Sequence, residues 1–228
     1  MRNLLYKELK LCLHPMLFIY MAFILMLFIP NYPYLVPCFF VCNGIFFTFM
    51  QSLQNKDIDF TLLLPIGKRD AVKAKYLFVM LIQLAVVLLY AVFVPLNHLI
   101  MKLPNVMLDA CPALLGFVFV TFGIFNSIFM PSFYKTCTKP GRGFLIASIA
   151  VFAWIFILEG VFIASGNEVL QSKAGLFNWI HTNIDCWPAT SGQWVIQLVV
   201  IAAGAAIYAL MTRLSFRRSV RNFERVDL

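Results

Sequence analysis

Glu159 is the only acidic residue inside a predicted membrane span of this 228-residue chain. At 1.5 Å per residue it lies roughly 22 Å above the inner end of its helix. A midplane charge costs about 2.5 to 3.5 kcal/mol on insertion scales, so its carboxyl must face protein, water or the outer mouth. Intramembrane proteolysis or lipid transfer needs a nucleophile with a base, or paired acids, at one level of neighbouring helices. Glu159 has no such companion, which argues against an enzyme. His14, His98 and His181 are far apart in sequence, fall at different predicted levels and lack the spacing of a zinc site. Gly67-Lys68-Arg69 lacks the upstream Gly and the following Ser or Thr of a phosphate-binding loop and precedes no strand, so the chain has no nucleotide site of its own. Of the six Cys, Cys12, Cys38, Cys42 and Cys137 fall within or inside the membrane, and only Cys111 and Cys186 reach the outer face. For that pair a disulfide and two free thiols both remain open.

These residues are positioned by six apolar runs. With 62% hydrophobic residues, 24 Phe and 12% charged residues, the chain has too little polar surface to cover a soluble globule and must be solvated by lipid. A hydrocarbon core about 30 Å thick needs roughly 20 apolar residues per helix. The runs are 11–29, 34–53, 76–96, 112–134, 144–165 and 194–212. Drawn as spans, they put sixteen of the eighteen Lys and Arg on one side and leave only Lys102 and Lys173 on the other. That asymmetry places both termini in the cytoplasm. The net charge of +8 therefore reports orientation and not affinity for nucleic acid. The first run resembles a secretory signal in its basic flank, but Pro30-Asn31-Tyr32-Pro33 follows in place of a small-x-small cleavage site, so it is read as retained.

The expected fold is an all-α membrane protein forming one transmembrane domain over 1–228, with four attachments. Residues 1–12 form an amphipathic entry helix in the interface, with Leu5, Leu9, Cys12 and Leu13 on one face and Asn3, Lys7 and Lys10 on the other. Residues 54–75 form an inner loop between spans two and three. Residues 166–192 are too apolar for an ordinary outer loop; Leu176, Phe177, Trp179, Ile180 and Ile184 with Trp187 and Trp194 suggest an interfacial or re-entrant segment. Residues 213–228 carry Arg213, Arg217, Arg221 and Arg225 at helical spacing, a cationic ridge suited to anionic lipid. The small residues Ala202 to Ala206 allow close approach by another helix, in this chain or another. Asn43, Gln83, Asn126 and Gln197 are suited to interhelical hydrogen bonds.

The inner loop carries most of the functional information. It starts acidic at Asp57 and Asp59, passes through an apolar knot of Phe60, Leu62, Leu63, Leu64 and Ile66, and restarts as a basic helix after Pro65 and Gly67. Gly67 can cap that helix, and Asp70 in its first turn suits the helix dipole. An apolar knot rimmed by charge is a docking surface unless it folds back on its own spans.

Leu62-Leu63-Leu64-Pro65-Ile66-Gly67-Lys68-Arg69-Asp70-x-Val72-x-x-x-Tyr76-Leu77, with Lys75 before the Tyr, resembles the Leu-Pro-(Ile/Val)-Ser-Arg/Lys motif between spans two and three of ABC-type-2 exporter permeases. The layout is similar throughout: an entry helix, six spans, cytoplasmic termini and an apolar excursion between spans five and six. The resemblance implies that the loop is a coupling helix docking on a separate ABC ATPase subunit. It assigns that contact to Leu64, Pro65, Ile66, Lys68, Arg69, Lys75 and Tyr76, with Asp59, Phe60, Leu62 and Leu63 in the same element. Gly67 departs from the family's usual Ser. ATP and Mg are then expected on the ATPase, present in two copies, with none bound by this chain. A second permease, identical or related, completes the pair in a bacterial plasma membrane. Span five resembles a lining helix of relatives, which makes Glu159, with Asn43, Phe46 and Phe47 of span two, candidates for the substrate path. The scarcity of intramembrane charge suits export of an amphipathic or hydrophobic cargo such as a peptide. A substrate-capture subunit of an importer is the alternative; it predicts a dispensable inner loop.

Overall fold

A computed structural model of the chain describes residues 2–63, 66–101, 105, 107–136, 140–167, 172 and 175–225. Five helices are long and apolar enough to cross a membrane: α3 (Val36–Gln54), α5 (Lys68–Met101), α6 (Leu114–Thr136), α7 (Pro140–Ser165) and α9 (Ser191–Glu224). Among the described residues no strand occurs. The described residues also form four shorter α-helices: α1 (Arg2–Lys7), α2 (Met16–Ala22), α4 (Asp57–Leu63) and α8 (Gly175–Asn183).

The first apolar run departs from a full-length span. Its helix begins only after Pro15, which has no N–H to continue an earlier helix. Seven α-helical residues then pass into six of 3-10 helix, Phe23–Phe28. At 1.5 and 2.0 Å per residue the two reach roughly 22 Å, short of a hydrocarbon core about 30 Å thick.

The entry helix also departs from a simple amphipathic helix. After α1 the backbone widens into a π-helical turn over Glu8–Cys12. The i→i+5 pairing of that turn delays the side-chain phase. Leu9, expected on the buried face, is therefore 41% exposed, while Glu8 is 3% exposed and turned into the bundle.

Close packing explains which helices are neighbours. A Cβ added to Gly204 of α9 would stand 2.3 Å from the Gly116 carbonyl oxygen of α6. The two backbones therefore touch, and the neighbour invited by the small residues of α9 belongs to the same chain. Ala202, Ala203 and Ala206 remain exposed on the other side. In-span amides pair as expected. Gln83 Nε2 donates to Asn126 Oδ1 and Asn126 Nδ2 to Gln83 Oε1, both at 2.8 Å. Gln197 Nε2 donates to the carbonyls of Asn183 and Cys186 at 3.2 and 2.7 Å.

α9 starts at a capping box: Thr190 Oγ1 accepts from Gln193 N, and Gln193 Oε1 accepts from Thr190 N at 3.0 Å. It then runs unbroken through the basic tail, with Arg213, Arg217 and Arg221 exposed along it. Cys111 and Cys186 are free thiols, which closes the disulfide option; each donates to a backbone carbonyl at 3.0 Å, of Ile184 and Thr182 respectively.

Candidate functional site

The loop between α3 and α5 is shaped by three local features. α3 ends where Lys56 takes a left-handed φ of 51°, turning the chain sharply. α4 follows at once, one face down and one face out. α5 then begins at Gly67, whose carbonyl accepts from Asp70 N at 2.9 Å and Ala71 N at 3.2 Å. A Cβ at Gly67 would meet only Asp70 Oδ2, at 4.0 Å, so the departure from Ser costs no contact.

On the outward face of α4, Phe60 is 64% and Leu63 81% exposed. Ile66 and Lys68 are half-buried and Arg69 is exposed. Lys68 Nζ lies 5.8 Å from the centroid of the Phe223 ring of α9. Leu64 and Pro65, and the side chains of Asp59 and Leu62, lie outside the described residues.

Lys75 and Tyr76 were expected at the ATPase contact, and the structure buries both side chains, at 6% and 4% exposure. Tyr76 Oη lies 2.7 Å from both Ser215 Oγ and Ser219 Oγ, fixing α5 to α9. Lys75 Nζ is the centre of a buried polar cluster beneath α4. It is 2.9 Å from Glu8 Oε2, 3.4 Å from Asp57 Oδ2 and 2.8 Å from Ser52 Oγ. Lys7 Nζ pairs with Asp57 Oδ1 at 2.6 Å and donates to Thr61 Oγ1 at 2.5 Å. Burial pushes the Asp57 carboxyl up, but Lys75 and Lys7 outweigh it and hold it below the ordinary aspartate value. Two cations and two anions thus neutralise one another where the entry helix, the end of α3, α4 and the start of α5 meet. Lys7, Glu8, Ser52 and Thr61 were missed from the sequence. The available signal was Glu8, a lone acid between two Lys residues and flanked by apolar positions.

The candidate pathway residues do not converge. Asn43 Nδ2 donates to Tyr20 Oη of α2 at 3.3 Å, and Phe47 packs against Tyr20 and His14. Phe46 points elsewhere, stacked on Phe144 of α7 at 4.2 Å between ring centroids. Glu159 belongs to the opposite end of the bundle, 5% exposed, where its Oε2 accepts from Leu108 N at 3.1 Å. Asp109 and Asp185 lie in that same region, and Asp109 N donates to Asp185 Oδ1 at 2.8 Å. Sequence reasoning passed over both, because they sit in loops where acids are ordinary.

A helical bundle with five membrane-length helices and a charged, helix-bearing loop between two of them is the architecture of a multi-pass membrane protein. Residues 3–224 match the family described as ABC-2 family transporter protein, and the chain belongs to it. No curated protein and no solved structure matches the chain. It is accordingly a permease of the ABC type, a transport subunit and not itself catalytic. Permeases of this family work with an ABC ATPase partner.

Proposed function

We propose that the chain is the membrane subunit of an ATP-driven exporter in the bacterial plasma membrane, and that α4 is the coupling helix gripped by the ATPase. The observation that carries this reading is the pairing of two faces on one short helix. Phe60 and Leu63 stand exposed on top, and Asp57 and Thr61 are tied by buried charge beneath. A partner pressing on the apolar top moves a helix already fastened to the entry helix, α3 and α5. Force is thereby delivered to the spans.

The first apolar run counts as a sixth, thinner span in this reading, which puts both termini and α4 in the cytoplasm. Two ATPase copies, carrying ATP and Mg, serve a pair of permeases, identical or related. The cargo is an amphipathic or hydrophobic molecule, a peptide by preference, because Glu159 is the only acid in the body of a span.

The test is co-purification of the ATPase from the native membrane with the double variant Phe60→Asp/Leu63→Asp. Both side chains are exposed, so the fold and melting temperature should stay as they are while ATPase recovery falls by tenfold or more. Undiminished recovery would remove α4 from the interface and favour the substrate-capture reading.

A further inference from the structure

Between α5 and α9 a groove opens on the outer surface of the bundle. Its lower hollow, about 300 Å³, is walled by Lys73, Tyr76, Leu77, Met80, Ala209 and Arg213. The hollow above it, about 210 Å³, shares Leu77, Met80 and Tyr208 with the first and continues past Leu84 to Val87. From Lys73 to Val87 the groove follows α5 for about 21 Å at 1.5 Å per residue, which is half the thickness of a bilayer counted with its headgroups.

Chemistry is distributed unevenly along it. The polar side chains at its floor satisfy one another. Tyr208 Oη donates to Gln83 Oε1 at 2.8 Å, Gln83 is paired with Asn126, and Tyr76 Oη is held by Ser215 and Ser219. The wall therefore offers almost nothing but carbon. The two exceptions are Lys73 and Arg213, both exposed, both at the α4 end, and neither paired with a carboxylate among the described residues. A groove with a carbon wall and cations at one end complements a molecule with an apolar tail and an anionic head. In a bilayer such molecules are abundant, and each basic side chain near the surface adds attraction for them. Long Lys and Arg side chains can reach from an apolar wall to a headgroup.

We propose that this groove is a binding site for an anionic phospholipid of the leaflet that borders the α4 end, with an acyl chain along Leu77, Met80 and Leu84 and its phosphate between Lys73 and Arg213. The site takes Arg213 from the cationic ridge of α9, whose other members, Arg217, Arg221 and Arg225, lie farther along the helix and outside the lining of the groove. It does not depend on the ATPase contact, so either can fail without the other.

The experiment titrates the purified full chain with phosphatidylglycerol and, separately, with phosphatidylcholine of the same acyl chains, counting retained lipid by native mass spectrometry. The natural sequence should retain phosphatidylglycerol in preference. Lys73→Gln/Arg213→Gln should reduce that retention about tenfold and leave phosphatidylcholine unchanged. Arg221→Gln/Arg225→Gln removes the same charge from the distal ridge and should change retention less than twofold. Ala209→Phe, which fills the groove, should lower both lipids. Equal losses in the two charge variants would overturn the proposal in favour of diffuse attraction, as would the absence of any preference in the natural sequence. If Ala209→Phe left both lipids bound but separated a permease dimer, the groove would belong to a second copy of the chain.

Discussion

Lys75 shows how a residue's type can be legible in a sequence while its partners are not. Its position before Tyr76 resembles a permease motif, yet its side chain is 8% exposed and its ammonium is shared between Glu8 and Asp57. Taking charges out of water costs several kcal/mol each, recovered only when every charge has a partner. Removing one partner is therefore far worse than removing a matched pair. Lys75→Met leaves Glu8 and Asp57 facing each other across an apolar gap and should cost about 3 kcal/mol. Glu8→Gln leaves Lys7 and Lys75 with one carboxylate between them and should cost a similar amount. The double variant retains Lys7 opposite Asp57, at 2.6 Å, as a neutral pair, so its loss should be well below the sum of the single losses. Thermal melting of the natural protein and the three variants in one detergent measures the cycle. Strict additivity would mean that Lys75 and Glu8 are not coupled, and the ties beneath α4 would have to be explained by packing alone.

The helices were legible in proportion to their length. α3, α5, α6, α7 and α9 follow from apolar runs of membrane length, which leave the backbone no alternative to helix. Phe60 and Leu63 were legible as part of an apolar knot bracketed by charge, but not whether that knot stands out or folds back on the spans; the structure exposes both. The π turn at Glu8–Cys12 was not legible, since hydropathy carries no signal for one extra residue per turn, and that residue decides whether Glu8 or Leu9 faces inward. Rotation was equally hidden. The small residues of α9 announced a close contact, but five candidates in a row do not say which one is buried. The structure selects Gly204, against Gly116, because only there do two helices meet without a Cβ on either. A rigid backbone contact of that kind cannot relax as a side-chain contact can. Gly204→Val should therefore force α9 off α6 and cost about 3 kcal/mol or more, visible as a lower melting temperature and poor accumulation. Gly160→Ala on α7, where an added Cβ meets nothing within 4 Å, should leave melting unchanged or slightly raised. A tolerated Gly204→Val would show that α6 and α9 are farther apart than the geometry requires.

The molecule as a whole has a charged cluster at each end, and the two answer pH with opposite sign. Beneath α4, Asp57 is held below the ordinary aspartate value, so its contribution is complete above that value and is lost as pH falls through the lowered one. At the opposite end, burial pushes the Asp185 carboxyl up to about 7, against the hydrogen bond from Asp109 N, and the charges of Asp109 and Glu159 add to the rise. A raised acid stabilises the fold fully below its ordinary value of 3.8, and that stability is lost as pH rises through about 7. Asp109 is raised by burial too, in spite of hydrogen bonds from Asn105 and Ala110 and the nearness of His98 and His181. Between pH 5 and 8 only the Asp185 end should respond, because the Asp57 response lies below that window. The fold should lose on the order of a few kcal/mol across the window, read as a melting temperature that falls from pH 5 to pH 8 in nanodiscs. His181 Nδ1 stands 3.6 Å from Asp185 Oδ2 and belongs to the same cluster, so a control is needed. Asp185→Asn should flatten most of the slope, whereas His181→Gln should keep it. A melting temperature that rises over this range, or a slope unchanged by Asp185→Asn, would mean that the Asp185 carboxyl stays ionised and that the hydrogen bond from Asp109 N holds it as an anion.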